Sequence, residues 1–416
     1  MMYLLLFFCA IFFLPAQSQI TSEWRGPGRT GIYNESHLLK EWPESGPEKL
    51  WSSDKVLNGY SSPAFGEKYI YVTGRKDAQE YLTALDYQGK QIWQVQFGKA
   101  WHKSYPETRT TPTIFNNKVY LISGQGEVVC HDAETGRQIW FRDANAEFSG
   151  MYNLYGPSEA PLIVEDKIFY SPGGFETSMI ALDTETGELI WQTESIPDSA
   201  AYVSPLYVKH NEQEMIINIL ANWAFGVDPA DGKILWKFDY IGLDTRQSNP
   251  YMIRTNCNTP LYHKGEVLVN KGYDHPSAML SLNESGTDVN LKWTSFDFDT
   301  HMGGYVLLDG YLYGSNWISN GQGNWLCVDW ETGATMWEEK WNNKGSVIYA
   351  DGLLYFYEEK RGNLALVKPN QQKMDIISSF RIQEGQGPHW SHPVINKGIL
   401  YIRHGEVLMA YNIKAD

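Results

Sequence analysis

The sequence predicts an all-β fold, an eight-bladed β-propeller of four-stranded antiparallel blades whose first and last strands share one blade. Three observations predict it. A near-identical segment recurs as ALDYQGKQIW (84–93), CHDAETGRQIW (130–140), ALDTETGELIW (181–191), GVDPADGKILW (226–236) and CVDWETGATMW (327–337). Its terminal aromatic can be followed through Trp51, Trp93, Trp140, Trp191, Trp236, Trp293, Trp337 and Phe380, every 42–57 residues, a period that fits propeller blades or helical arrays. Between the aromatics lie runs such as KYIYVTG, KVYLISG and EVLVNKG, rich in β-branched and aromatic residues and ending at Gly or Asn, while no stretch sustains a helical period.

Each period divides into four strands. Strand A carries a Ser/Thr-Pro signal, as in SSPAF or TTPTIF; strand B is the aromatic-aliphatic run; strand C is the ALD segment; strand D ends at the Trp. The DxxTG letters make the C–D hairpin, where Asp accepts from turn N–H groups and Gly takes a positive φ. The Trp gives each blade a large apolar surface to set against a neighbour. Eight A–B–C sets begin near Ser61, Thr110, Glu159, Tyr202, Asn258, Met302, Ser346 and Trp390. The D strand around Trp51 has no A–C strands before it, and the last set, ending EVLMAYNIK, has no D strand after it. Pairing the two closes the ring and removes its open edges. The turns of the fifth repeat (SLNESGTDVNLKW) and the seventh (LVKPNQQKMDIISSF) are degenerate, so a seven-bladed ring is the alternative.

The chain of 416 residues divides into 1–18, a cleaved leader; 19–46, a lead segment; and 47–416, the propeller. The apolar run Tyr3–Leu14 is too short to span a bilayer, which takes about 20 residues, and it ends at Ala16-Gln17-Ser18, the small-residue spacing of a signal-peptide cleavage site. A periplasmic or secreted monomer is expected. Truncation before Gly46 is expected to be better tolerated than truncation through Trp51. The net charge of −15 argues against a nucleic-acid partner, and no segment after the leader is expected to cross a membrane. Beyond Cys9, Cys130, Cys257 and Cys327 form an odd set, read as small buried core residues.

The A-x-D-x-x-T-G-x-x-x-W pattern resembles the tryptophan-docking repeat of the pyrroloquinoline-quinone (PQQ)-like propellers, over nearly the whole chain past the leader. WRGPGRTG (24–31) resembles the entry segment of that superfamily's bacterial members. The resemblance implies the fold. It leaves open quinoprotein alcohol dehydrogenases, an outer-membrane β-barrel assembly scaffold, and members of other roles.

The C–D turns are short and uniform, whereas the D–A loops are long and varied, so a ligand site is expected on the face they share with the B–C loops. The candidates there are Tyr60, Arg109, Glu159, Tyr202, Asn258, His301, Trp317 and His389, with Lys271, Asp274, His275, Arg246 and Arg254 on neighbouring loops. This mixture of cations, imidazoles and aromatic rings suits an anionic or polyhydroxylated molecule. No metal site is expected. His389-x-x-His392 falls on a strand, where i and i+3 face opposite ways, and Asp297 with Asp299 lacks the Gly and Glu of a calcium loop.

Three functions follow. The first is an exported binding module for a small molecule, carbohydrate or protein, without a cofactor. The second is a PQQ-dependent alcohol dehydrogenase; the resemblance then implies PQQ with calcium, an aspartate base and a lid of two adjacent cysteines, and no Cys-Cys pair is present. The third is a lyase-like glycan-processing enzyme, for which Tyr202, His301, His389 and Arg109 are the right residue types.

Overall fold

The computed structural model describes residues 20–243 and 255–415. The expected leader, 1–18, and Arg246 and Arg254 lie outside them. Eight four-stranded antiparallel blades form a ring. The third runs Leu162–Val164, Lys167–Tyr170, Ile180–Asp183 and Leu189–Gln192, each strand pairing with the next. The segments with degenerate turns, Ser277–Leu282 with Val289–Ser295 and Asn363–Lys368 with Asp375–Arg381, are regular hairpins, so the ring has eight blades and not seven. The eighth closes as the unmatched strands require: Glu48–Ser53 pairs with Val407–Asn412. Among the described residues no helix is long and apolar enough to cross a membrane.

The repeated letters answer to one contact between neighbouring blades. In the third blade, Asp183 Oδ1 accepts from the N–H groups of Glu185 and Thr186 and from the Thr186 hydroxyl, which shapes the hairpin. Gly187 then sits at φ +73°, a left-handed conformation. A Cβ there would lie 2.7 Å from the Trp140 ring of the preceding blade. Trp140 lies flat on this glycine and donates through Nε1 to the Thr184 carbonyl (2.8 Å). The same docking sets Trp51 on Gly89, Trp93 on Gly136, Trp191 on Gly232 and Trp293 on Gly333, each with an indole N–H donated to a carbonyl of that turn. Phe380 docks on Gly46, which has φ +81° and takes the place of the turn glycine where the two chain ends meet. Trp236 faces the degenerate fifth turn, and its Nε1 is buried without a hydrogen-bond partner.

The lead segment occupies the central channel. Ile20–Ser22 pairs antiparallel with the inner strand Thr113–Phe115 of the second blade, and Ile32–Tyr33 pairs parallel with Gly345–Ala350 of the seventh. Between them, two buried arginines hold the ring's inner strands. Arg25 donates through Nη1 to the carbonyls of Gly303 and Val347 (3.2 Å each) and to His392 Nδ1 (2.8 Å), and through Nη2 to the Tyr305 carbonyl (2.8 Å). Arg29 donates to the carbonyls of Ala160 and Pro161 and lies 3.5 Å from Glu23. Burial lowers the pKa of Arg25 to about 10, so it remains a cation at neutral pH. Trp42 packs against Phe380 and Tyr355. The lead segment is therefore a structural member: a truncation before Gly46 removes two arginines and a core tryptophan, and one through Trp51 removes these together with the strand that closes the ring.

Two outcomes check this account. Trp191→Phe should destabilise by about 1 kcal/mol through the lost indole bond, whereas Trp236→Phe should leave the denaturant midpoint nearly unmoved, because it removes an unsatisfied donor. A chain beginning at Gly46 should show no cooperative melt by circular dichroism, or one far below that of the intact protein.

Candidate functional site

The lead segment divides the channel in two. Glu23, Gly26 and Pro27 line a cavity of about 650 Å³ toward the A–B turns, together with Phe65, Phe115 and Ile395. Trp24 lines a second cavity, of about 240 Å³, that opens on the face of the D–A and B–C loops.

Register decides which loop residues line this second pocket. Strand A of six blades carries a proline: Pro63, Pro112, Pro161, Pro205, Pro260 and Pro393. The residues three before them, Tyr60, Arg109, Ser158, Tyr202, Cys257 and Trp390, all line the pocket. Those one before, where they contribute, lie in the same lining, as do Thr111, Ala160, Ser204 and His392. The extended backbone alternates its side chains, so the residues two before point away.

That alternation sorts the sequence-based candidates. Tyr60, Arg109, Tyr202 and His301 line the pocket. Glu159 and Asn258 are in the opposite register and do not. Asn258 is buried and brackets the fifth and sixth blades, donating to the carbonyls of Thr300 and His301 and accepting from Gly304 N–H. Glu159 is buried behind the wall, where it accepts from Ser171 N–H (3.2 Å) and leaves Oε1 without a hydrogen-bond partner. His389 is outside the pocket: its ring stacks on His404 at 3.6 Å and Nδ1 meets the Tyr357 hydroxyl (2.6 Å). Burial and the neighbouring His404 push its pKa down to about 3. Trp317 backs the lining ring of Tyr273 (5.6 Å) without lining the pocket itself. Lys271 is buried beside Tyr240 and donates to the Ala221 carbonyl; neither it nor Asp274 nor His275 reaches the lining. Asp299 is a structural acceptor for the N–H groups of Trp317 and Asp274, and burial pushes its pKa up to about 8. Cys257 is half-buried in the pocket wall rather than in the core, and burial pushes its thiol up to about 12.

The lining is mostly aromatic. Trp390 stands edge-on to Tyr60 (4.9 Å) and Tyr105 (5.1 Å), Tyr105 meets Tyr155 (6.0 Å), and Tyr155 meets Tyr202 (5.6 Å). Trp24 and Tyr273 complete it. Tyr105 and Tyr155 sit before Pro106 and Gly156-Pro157 in the long D–A loops, and Tyr273 lies in NKGYDHPS; loop aromatics beside turn residues were the available signal for these three. Among the described residues Arg109 is the one Arg or Lys in the lining, and no Asp or Glu lines it. Arg109 donates to the carbonyls of Ser104 and Tyr105 and forms no salt bridge with a described residue. Burial lowers its pKa, with Glu80, Tyr202, Tyr60 and Glu107 opposing. Among the described residues no three His, Cys, Asp or Glu side chains converge as a metal site.

PQQ is a tricarboxylate that the dehydrogenase reading pairs with calcium, so its site needs several cations and acidic ligands. One lining arginine and no lining carboxylate do not fit that pair.

Burial pushes the Glu159 carboxyl up to about 8, opposed by the Ser171 N–H and Arg29. The folded state then holds a proton that the unfolded chain releases near its ordinary pKa of 4.5. The stability this contributes is full below pH 4.5 and is lost as the pH rises through 8. Glu159→Gln, which mimics the protonated acid, should match the parent melt at pH 4.5 and exceed it at pH 9 by roughly 1–4 kcal/mol.

Residues 78–319 match the family described as outer membrane protein assembly factor BamB. The outer membrane protein assembly factor BamB of Moranella endobia (strain PCIT) is 20% identical over 356 residues, covering 83% of this chain and 84% of that one. The quinohemoprotein alcohol dehydrogenase ADH IIB of Pseudomonas putida is 26% identical over 199 residues, 45% of this chain. The chain spans between 17% and 28% of the length of that enzyme and two further quinone-dependent alcohol dehydrogenases it matches. Among solved structures, BamB from Moraxella catarrhalis superposes with a TM-score of 0.59 at 14% identity, over 89% of this chain and 98% of that one. Quinohemoprotein alcohol dehydrogenase from Comamonas testosteroni gives 0.65 at 12% identity, over 94% and 79%. With its docked tryptophan ring and a match over more than half its length, the chain belongs to the BamB family of PQQ-like β-propellers.

Proposed function

We propose that the protein is an exported binding module that holds a small anionic or polyhydroxylated molecule in the pocket of its D–A loop face. The observation that carries this reading is the lining: aromatic faces and phenol hydroxyls around a lining arginine that forms no salt bridge with a described carboxylate, although Glu80 and Glu107 lie within its field. The cavity of about 240 Å³ lies just below the range of about 300–1,000 Å³ usual for small-molecule sites. It therefore suits one ring of a ligand, with the remainder outside. The apolar run Tyr3–Leu14 supports export, as does the outer-membrane role printed for the family.

A protein partner on the same face is a second reading, favoured by the match along 84% of an outer membrane assembly factor. A dehydrogenase reading has less support. The matched enzymes are several-fold longer than the shared segment, and the lining does not suit PQQ with calcium.

Ligand capture by a panel of sugars, sugar acids and small carboxylates can be followed by tryptophan fluorescence, since Trp24 and Trp390 line the pocket. Arg109→Ala and Trp390→Ala should each weaken capture about tenfold or more while changing stability by less than about 1 kcal/mol. Capture that survives both substitutions would place the site elsewhere.

A further inference from the structure

One wall of the pocket carries a chain of four polar groups. The Tyr273 hydroxyl lies 2.8 Å from His301 Nε2, His301 Nδ1 lies 3.3 Å from Glu359 Oε2, and Lys344 Nζ lies 2.8 Å from Glu359 Oε1. Tyr273 and His301 face the pocket, whereas Glu359 and Lys344 are buried behind them. The direction of each bond follows from what the groups can do. Burial pushes the Glu359 carboxyl up, but His301 and Lys344 outweigh it and hold the group below its ordinary value, so it is an ionised acceptor. Nδ1 therefore carries the proton, Nε2 presents its lone pair, and Tyr273 donates to it. A base oriented by a buried carboxylate and bonded to a hydroxyl is the arrangement that activates a hydroxyl.

A second observation separates this wall from ordinary buried polar packing. Tyr273 has φ +57° and the next residue, Asp274, φ +63°. A bulky aromatic rarely adopts the left-handed region, and such strain persists where the surroundings over-determine it. Asp299 fixes the turn by accepting from Asp274 N–H (2.7 Å), and the rings of His301 (4.7 Å) and Trp317 (5.6 Å) hold the phenol. Opposite charge is available in the same cavity from Arg109.

We propose that the pocket is a proton-transfer site for uronic acid glycans, in which Arg109 receives the sugar carboxylate and Tyr273 takes the proton from the adjacent carbon. This rests on the binding reading above. Aromatic faces suit the C–H face of a sugar ring, the guanidinium suits its carboxylate, and a carbon acid beside a carboxylate needs that cation as negative charge builds. As the phenol proton passes to His301 Nε2, the imidazolium faces Glu359 and the phenoxide oxygen takes the proton from C5. The C5–H electron pair becomes the C4=C5 double bond and the C4–O bond breaks, its pair leaving with the oxygen. That oxygen collects a proton from the Tyr273–His301 pair. The phenol and neutral imidazole are restored, and the products are an unsaturated uronate and a shortened glycan, with no oxidant, reductant or water consumed. Burial pushes the Tyr273 phenol well up, so it rests protonated and loses its proton only as His301 receives it.

The test uses 4-linked trimers of galacturonate, glucuronate and mannuronate with the intact chain, and the same trimers with their carboxylates reduced to alcohols. Binding is read by tryptophan fluorescence, elimination by the ultraviolet absorbance of the conjugated product, and proton abstraction by deuterium uptake at C5 in heavy water. At least one acidic trimer should bind and react. Arg109→Ala should cost its binding about tenfold or more without affecting the reduced trimer. Tyr273→Phe, which keeps the ring, should lower the rate about a hundredfold or more while moving the affinity far less. Acidic trimers that bind without product or deuterium uptake would overturn the proton-transfer role and leave the binding reading standing. Capture of reduced trimers in preference to acidic ones would overturn the choice of uronates, as would capture of small carboxylates alone. A Tyr273→Phe rate equal to the parent's would overturn the role of the phenol, and absence of any capture would remove the binding reading as well.

Discussion

A four-stranded sheet has two faces and cannot bury both alone, and the rest of this structure depends on how that constraint is met. At five of the eight junctions one blade offers an indole and the next a bare glycine for it to lie on. The glycine serves twice, because the hairpin needs its left-handed φ and the ring needs the absent Cβ. Asp, Thr, Gly and Trp are therefore one device read across two repeats, and this is why the chain spells them again and again. Where the turn degenerates, as in front of Trp236, the ring still closes but one donor goes unanswered. With the C–D side fixed by docking, variation is left to the D–A and B–C loops, and the pocket lies there.

Closing eight blades leaves an axial space that inward-facing side chains do not fill. The lead segment fills it with two guanidinium groups, of which Arg29 pairs with Glu23 and two carbonyls. Arg25 meets three carbonyls and one neutral imidazole. His392 is held neutral, its pKa pushed down to about 3 by burial and then by Arg25. Its Nδ1 can therefore accept from Arg25 while Nε2 donates to the Met302 carbonyl. A guanidinium suits this place because its planar fork can bridge the carbonyls of several blades at once. The same segment supplies Trp24 as part of the pocket lining, so the pocket exists only because the channel is stopped.

The ring was legible because docking repeats the same letters at most of the blades. Even the split eighth blade could be counted from its unmatched strands. The site was legible only in part. Loop position points to Tyr60, Arg109, Tyr202 and His301, which line the pocket, and equally to Glu159 and Asn258, which sit one residue out of register with the lining. The prolines of strand A carried the phase that would have excluded them. Tyr105, Tyr155 and Tyr273 belong to irregular loops, where no period says which way a ring points. Glu359 was beyond reach for another reason. It lies 58 residues from His301, and only the ring's curvature brings the two together.

The threaded segment also bears on how the molecule is made. Residues 20–35 leave the ribosome before any strand of the blades, and the strands that enclose them, Gly345–Ala350 and Val394–Asn396, follow some three hundred residues later. The blades can therefore be laid down around a core already in place, like staves around a mandrel, and no finished ring has to be opened to admit it. A rearranged chain in which this stretch were made last would have to thread a closed aperture whose inner wall consists of hydrogen-bonded strands. Gene order and channel filling are in this sense a single property of the protein.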